Sequence, residues 1–278
     1  MMISKENCAR FAASLRAEDR SQGTVSKYLR DIRAFAAWLG DRELTPETAA
    51  GWRDRLLEQG FAPVTINSML SAVNRFLGFL GQEKCRIRFL RIQRRAFRDQ
   101  NRELTRAEYQ RLLATAQSLG RKRLALLMET VCSTGIRVSE VRYITVEAAR
   151  QGRAEIRLKG KIRTILLPAK LCRKLLKYAR EQKTASGEIF LTRSGKTLSR
   201  RQIWREMKDL CEKAGVAPSK VFPHNLRHLF ATVFYRACRD IVKLADILGH
   251  SSINTTRIYL MTSGEEHVRH LEKLGLVT

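Results

Sequence analysis

The sequence predicts a mainly α-helical chain of two domains with one small antiparallel β-sheet. Three observations carry this reading. At 278 residues the chain is long for one core, so two domains are expected. Residues 1–83 place apolar side chains at helical spacing throughout. After residue 103 the helical pattern resumes, and it is interrupted by two β-favouring segments on either side of a Lys-Gly-Lys turn.

In the N-terminal part a first helix is expected near residues 4–18. In TVSKYLRDIRAFAAWLG, Val25, Tyr28, Leu29, Ile32, Phe35, Ala36 and Leu39 fall on one helical face, and Gly40 suits a helix stop. Thr45-Pro46-Glu47 reads as a cap, a first-turn proline and an early acid. The helix that follows carries Trp52, Leu56 and Leu57 and ends near Gly60. A further run sets Ile66, Leu70, Val73, Leu77 and Leu80 in one stripe. The result is a four-helix unit.

Residues 84–102 form a basic linker, with positive charge at Lys84, Arg86, Arg88, Arg91, Arg94, Arg95, Arg98 and Arg102. Part of it alternates apolar and basic residues, which allows a short strand. Such charge density repels itself unless an anion is present, so the linker is expected to contact phosphates. A solvated connector is the alternative.

The second domain, 103–278, opens on a capping-box pattern, Thr105 with Glu108 three residues on. Helices follow to Gly120 and then to about Thr134. The segments AEIRL and IRTILLP read as strands, with KGK at 159–161 between them. A helix near 169–182, a short strand at 189–191 and further helices complete the domain. The six cysteines form no CxxC pair, so neither a zinc knuckle nor a disulfide framework is indicated.

Charge narrows the partner. The chain has 53 Lys and Arg against 27 Asp and Glu, a net charge of +26. This surplus favours a polyanion, DNA or RNA, and Arg suits forked phosphate contacts. A membrane surface is a weaker fit, because no apolar run reaches the roughly 18 residues of a spanning helix. The N-terminus lacks a signal-peptide core, and a reducing cytoplasm is expected.

Scattered through the second domain are residues suited to phosphoryl transfer: Arg137 in TGIRVSE, Lys159 in LKGK, His224 and Arg227 in HNLRH, His250 in LGHSS and Tyr259 in TTRIYL. Two guanidiniums can clamp a phosphate, a lysine can protonate a leaving oxygen, imidazoles can move protons, and a phenol can attack. Taken singly, each has an ordinary reading. Arg137 equally fits a surface arginine paired with Glu140. Lys159 fits an exposed hairpin lysine, with Lys161 competing for any role. His224 and His228 have the i,i+4 spacing of a zinc pair, but no third ligand or HExxH glutamate accompanies them. His250 fits a capping histidine, and Tyr259 a packing residue.

In order and in their surrounding words these motifs resemble the tyrosine recombinase (phage integrase) family, in its Xer-like branch. The resemblance extends to the helical N-terminal segments. It implies a SAM-like core-binding domain that clamps DNA at 1–83, the linker at 84–102, and a tyrosine recombinase catalytic domain at 103–278 ending in an exchange tail at 260–278. It implies site-specific cutting and rejoining of double-stranded DNA through a 3′-phosphotyrosine and a Holliday junction, with neither metal nor nucleotide cofactor. Tyr259 is then the nucleophile, Arg137 and Arg227 bind the non-bridging oxygens, and Lys159 protonates the leaving 5′ oxygen. His224 is an acid–base, and His250 donates a hydrogen bond to the phosphate. Arg86, Arg88, Arg91, Arg94, Arg95 and Lys161 are the expected DNA contacts. A homotetramer on two duplexes, or a heterotetramer with a related recombinase, is the implied assembly. The rivals are type IB topoisomerase-like relaxation and a non-catalytic DNA-binding protein of the same fold.

Overall fold

The structure, a computed structural model, describes residues 4–92, 102–158, 161–259, 268 and 272–274, with backbone only at 158 and 161. The chain divides into two compact units, residues 1–94 and 95–278.

Unit 1 holds α1 (Lys5–Ala17), α2 (Gln22–Leu39), α3 (Pro46–Glu58) and α4 (Pro63–Phe79). The side chains of Ser4, Ser21 and Thr45 cap the first three helices, and Thr45 forms a reciprocal box with Thr48 behind Pro46. The expected stripes point inward. Val25, Ile32, Phe35 and Leu39 of α2 and Ile66, Leu70, Val73 and Leu77 of α4 are buried, with Trp52 and Leu56 of α3 between them. Leu57 is exposed, because it sits one residue, about 100°, off the stripe of Leu56.

The first part of the expected linker belongs to this unit's core. After a 3₁₀ turn at Glu83–Cys85 the chain runs extended along α4, with Cys85 and Ile87 buried and Arg86, Arg88 and Arg91 exposed. Two asparagines of α4 fasten it. Asn74 donates to the Ile87 carbonyl and accepts from its N–H, at 2.8 and 2.7 Å. Asn67 does the same to Leu90, at 2.9 and 2.8 Å. Each carboxamide therefore satisfies a residue much as a neighbouring strand would, and no partner strand is present among the described residues.

Unit 2 begins with α5 (Arg106–Ser118), closed by the Thr105–Glu108 box, and α6 (Lys122–Thr134). A 3₁₀ segment (Val138–Tyr143) and α7 (Val146–Gln151) lead to β1 (Arg153–Leu158), which pairs antiparallel with β2 (Lys161–Leu166) in the register Arg153↔Leu166 to Leu158↔Lys161. The inner face of this hairpin buries Ala154, Ile156 and Ile165. Then come α8 (Ala169–Glu181), α9 (Arg200–Lys208), α10 (Pro223–Cys238), α11 (Ile241–Leu248), α12 (Ile253–Thr256) and a 3₁₀ turn at Arg257–Tyr259. The strand expected at 189–191 is replaced by isolated bridges, Thr145↔Glu188 and Leu191↔Thr197. Its three residues have no continuous neighbour to ladder with. α6 forms the middle of the unit, packed by α5, α8 and α10.

The six cysteines are unpaired. No helix among the described residues is long and apolar enough to cross a membrane. The exchange tail expected at 260–278 lies almost wholly outside the described residues. Its two described apolar positions, Val268 and Leu274, are exposed.

Candidate active site

The site is assembled from the ends of helices in unit 2. α6 stops at Gly135, which takes a left-handed φ of +66°. A side chain there would strike the ring of Phe230, so glycine alone fits. The turn lets Arg137 open the 3₁₀ segment. Glu140, 2% exposed, then reaches back to accept from the Arg137 N–H at 2.7 Å and from its Nη1 at 2.9 Å. The pairing expected between Arg137 and Glu140 therefore forms, yet the Arg137 side chain remains 43% exposed.

α11 stops at Leu248 through a second left-handed glycine, Gly249 at +61°. Its last carbonyls lack helical partners and collect guanidiniums. Arg227, from the second turn of α10 and 2% exposed, donates to the carbonyls of Leu248 at 2.8 Å and Gly135. Arg163 of β2 also donates to Leu248, and Arg137 approaches the Gly249 carbonyl at 3.5 Å. The negative end of the helix favours these cations.

Arg227 Nη2 also lies 2.9 Å from His250 Nε2. Guanidinium nitrogens only donate, so Nε2 accepts and the ring is neutral, with its proton on Nδ1 facing Thr256 Oγ1 at 2.9 Å. Burial first, then the charges of Arg227, Arg137 and Arg163, hold His250 down at about 4, which agrees with that tautomer. Both ring nitrogens are engaged within the chain, Nε2 by Arg227 and Nδ1 by Thr256.

His224 is exposed on the first turn of α10. Partial desolvation, then Arg227 and Arg137, lower its imidazole from the ordinary value. Arg227 is itself lowered to about 10, by burial first and then by Arg137, with the Tyr259 hydroxyl opposing. Tyr259 is 3% exposed and lies among Ala231, Leu244 and Leu248. Its ring meets the edge of His228, centroids 4.9 Å apart, and lies nearly parallel to His250 at 6.1 Å. His228 thus faces the tyrosine ring.

Arg137, His224, Arg227, His250 and Tyr259 are brought together. Lys159, Arg94 and Arg95 lie outside the described residues, as does the side chain of Lys161, which begins β2. Arg86, Arg88 and Arg91 are on unit 1. Sequence reasoning missed Arg163. Its sequence signal was weak, a charge two residues before Ile165 on the same strand face. It also missed the buried Asn225 of HNLRH, which donates to the carbonyls of Arg102 and Lys220, both at 2.7 Å, and pins the entry to the unit.

Comparison with known proteins places this site in a family. The phage integrase family model matches residues 102–266, and the phage integrase N-terminal SAM-like domain model matches residues 8–84. The chain belongs to the phage integrase family. It is 29% identical over 277 residues to tyrosine recombinase XerA of Thermococcus kodakarensis, covering 96% of this chain and 94% of that protein. It is 30% identical over 276 residues to tyrosine recombinase XerD of Agrobacterium fabrum, covering 85% and 83%. Two solved structures share the fold at 18% identity. One is XerH recombinase bound to its difH substrate before cleavage (TM-score 0.69, 99% of this chain and 89% of that chain). The other is a lambda integrase dimer bound to a core site (TM-score 0.72, 92% and 94%).

Proposed function

We propose that this chain is a site-specific tyrosine recombinase that cuts and rejoins double-stranded DNA. The observation that carries the reading is Tyr259 set against a buried guanidinium, Arg227, with Arg137, His224 and His250 around it. The XerA and XerD likenesses along most of the chain support it, as does the net charge of +26.

The reaction is a transesterification. The Tyr259 oxygen loses its proton and bonds to phosphorus, and the P–O5′ bond breaks with its electron pair leaving on the 5′ oxygen. That oxygen takes a proton from Lys159, the position assigned by resemblance, with Lys161 as the competing donor. His224 manages proton transfer at the phenol. Arg137 and Arg227 bind the non-bridging oxygens, where charge grows in the transition state. Because the phosphotyrosine conserves the ester, a 5′ hydroxyl from a partner duplex reverses the chemistry and joins the new strand. The core-binding domain (1–83), the basic segment (84–102) and the catalytic domain with its tail (103–278) each take part in binding DNA. Four protomers then act on two duplexes. Arg86, Arg88, Arg91, Arg94 and Arg95 supply phosphate contacts.

The test is a covalent trap. Wild type and Tyr259→Phe are incubated with nicked duplexes carrying candidate repeats in EDTA and resolved on a denaturing gel. An adduct with wild type alone supports the reading. An adduct that persists in Tyr259→Phe sinks it.

A further inference from the structure

The mechanism above uses Arg137 and Arg227 and leaves Arg163 without a task. Yet Arg163 is costly to keep. Its side chain is 14% exposed, and its Nε–H is buried without a partner among the described residues. A desolvated, incompletely paired cation is destabilising unless something depends on it. Its two terminal nitrogens are spent on the site, Nη2 on Glu140 Oε2 at 3.0 Å and Nη1 on the Leu248 carbonyl that also holds Arg227. Gly249 is shaped around it, since a Cβ there would collide with the Arg163 side chain.

Charge explains the arrangement. Glu140 is buried and contacts both Arg137 and Arg163. With Arg137 as its only partner, the carboxylate would neutralise that guanidinium and leave little attraction for a phosphate. With Arg163 as the enclosed partner, Glu140 is already balanced, and the more exposed Arg137 keeps its charge for substrate. Three guanidiniums and one carboxylate leave the site at +2, which matches the two negative charges of a pentacoordinate phosphorane.

We propose that Arg163 is a positioning residue for strand cleavage. It takes up the charge of Glu140, so that Arg137 is held in place by that carboxylate and still presents a net positive charge to the scissile phosphate. The proposal rests on the recombinase reading of the same site.

The experiment compares single-turnover cleavage by wild type, Arg163→Met and Arg163→Lys on two forms of a cleavable duplex. One carries the natural phosphodiester. The other carries a methylphosphonate at the scissile position, where a methyl group replaces one non-bridging oxygen and removes one negative charge. Arg163→Met is expected to cleave the phosphodiester about 100-fold more slowly, the scale of a lost oxyanion contact, while binding DNA as wild type does. On the methylphosphonate the deficit should shrink to within about 5-fold, because less charge needs stabilising. Arg163→Lys keeps the charge and should retain most of the rate on both. A site that had merely collapsed would lose the same factor on both linkages. Equal deficits on the two substrates overturn the proposal, as does a wild-type rate in Arg163→Met. Should Arg163→Met fail to fold, an Arg163→Lys protein that melts normally but loses the Met-sized factor overturns it too. Absence of any wild-type adduct on either duplex strikes at the recombinase reading itself.

Discussion

Arg227 Nη2 stands between the Leu248 carbonyl and His250 Nε2, at 2.8 and 2.9 Å. One donor nitrogen thus links the end of α11 to the imidazole beside the tyrosine ring. The guanidinium is locked in place before any phosphate arrives, which is the preorganisation that transition-state stabilisation needs.

The lock has a stability consequence. Arg227→Met strands the carbonyl of Gly135 and a ring nitrogen of His250, and leaves the Leu248 carbonyl to Arg163 alone. Leaving buried acceptors unpaired should cost about 3 kcal/mol. In a unit of this size that is a fall in melting temperature of roughly 6–12 °C. Calorimetry would read it. An unchanged melting curve would show that these bonds are made only when DNA is bound.

Acid should weaken the same place. His250 is held at about 4, while an unfolded histidine titrates near 6.5. Between those values the unfolded chain binds a proton that the native site refuses, so stability is lost as pH falls from about 6.5 towards 4 and is unaffected above that window. His224 is shifted in the same direction. Wild type should therefore lose more melting temperature between pH 7 and pH 4.5 than His250→Asn does. Parallel losses in the two proteins would show that His250 is protonated normally.

The helical faces of α2 and α4, the Thr105–Glu108 box and the hairpin around residue 160 were legible because each is written in local spacing. Arg137, Arg227, His250 and Tyr259 were legible only as words in a known order. Spacing alone left each with an ordinary reading, since 122 residues separate Arg137 from Tyr259 and only the meeting of α6, α10 and α11 joins them. Arg163 was illegible because an arginine on a short strand looks solvated until its partners, Glu140 and Leu248, are seen. Asn67 and Asn74 were hidden for a similar reason. Polar residues on a helix read as surface, and nothing local announces an extended segment lying across them.

Gly249 and Arg163 should be energetically coupled. Gly249→Ala pays twice, once for φ at +61° and once for the collision with Arg163, and the sum should reach about 2–3 kcal/mol. In an Arg163→Ala background only the backbone strain remains, about 1 kcal/mol. A double-mutant cycle by denaturant unfolding gives the difference directly. Simple additivity of the two changes would mean that the side chain moves aside freely.

The asparagine clamps fix the start of the basic segment, at Ile87 and Leu90, and this can be separated from its charge. Replacing Arg86, Arg88 and Arg91 by alanine should lower the salt slope of DNA binding by about 2–3, near 0.9 for each lost phosphate contact. Asn67→Ala with Asn74→Ala keeps every charge but releases four hydrogen bonds to Ile87 and Leu90. The arginines can still reach phosphates from a looser segment, so the salt slope should stay near its wild-type value. Affinity should fall about 10-fold all the same, because the loosened chain must be ordered on binding. Titrations at several salt concentrations distinguish the two cases. If the asparagine variant lost slope as well, the clamps would be setting which arginines face DNA, and the segment would bind through a defined register and not through charge density alone.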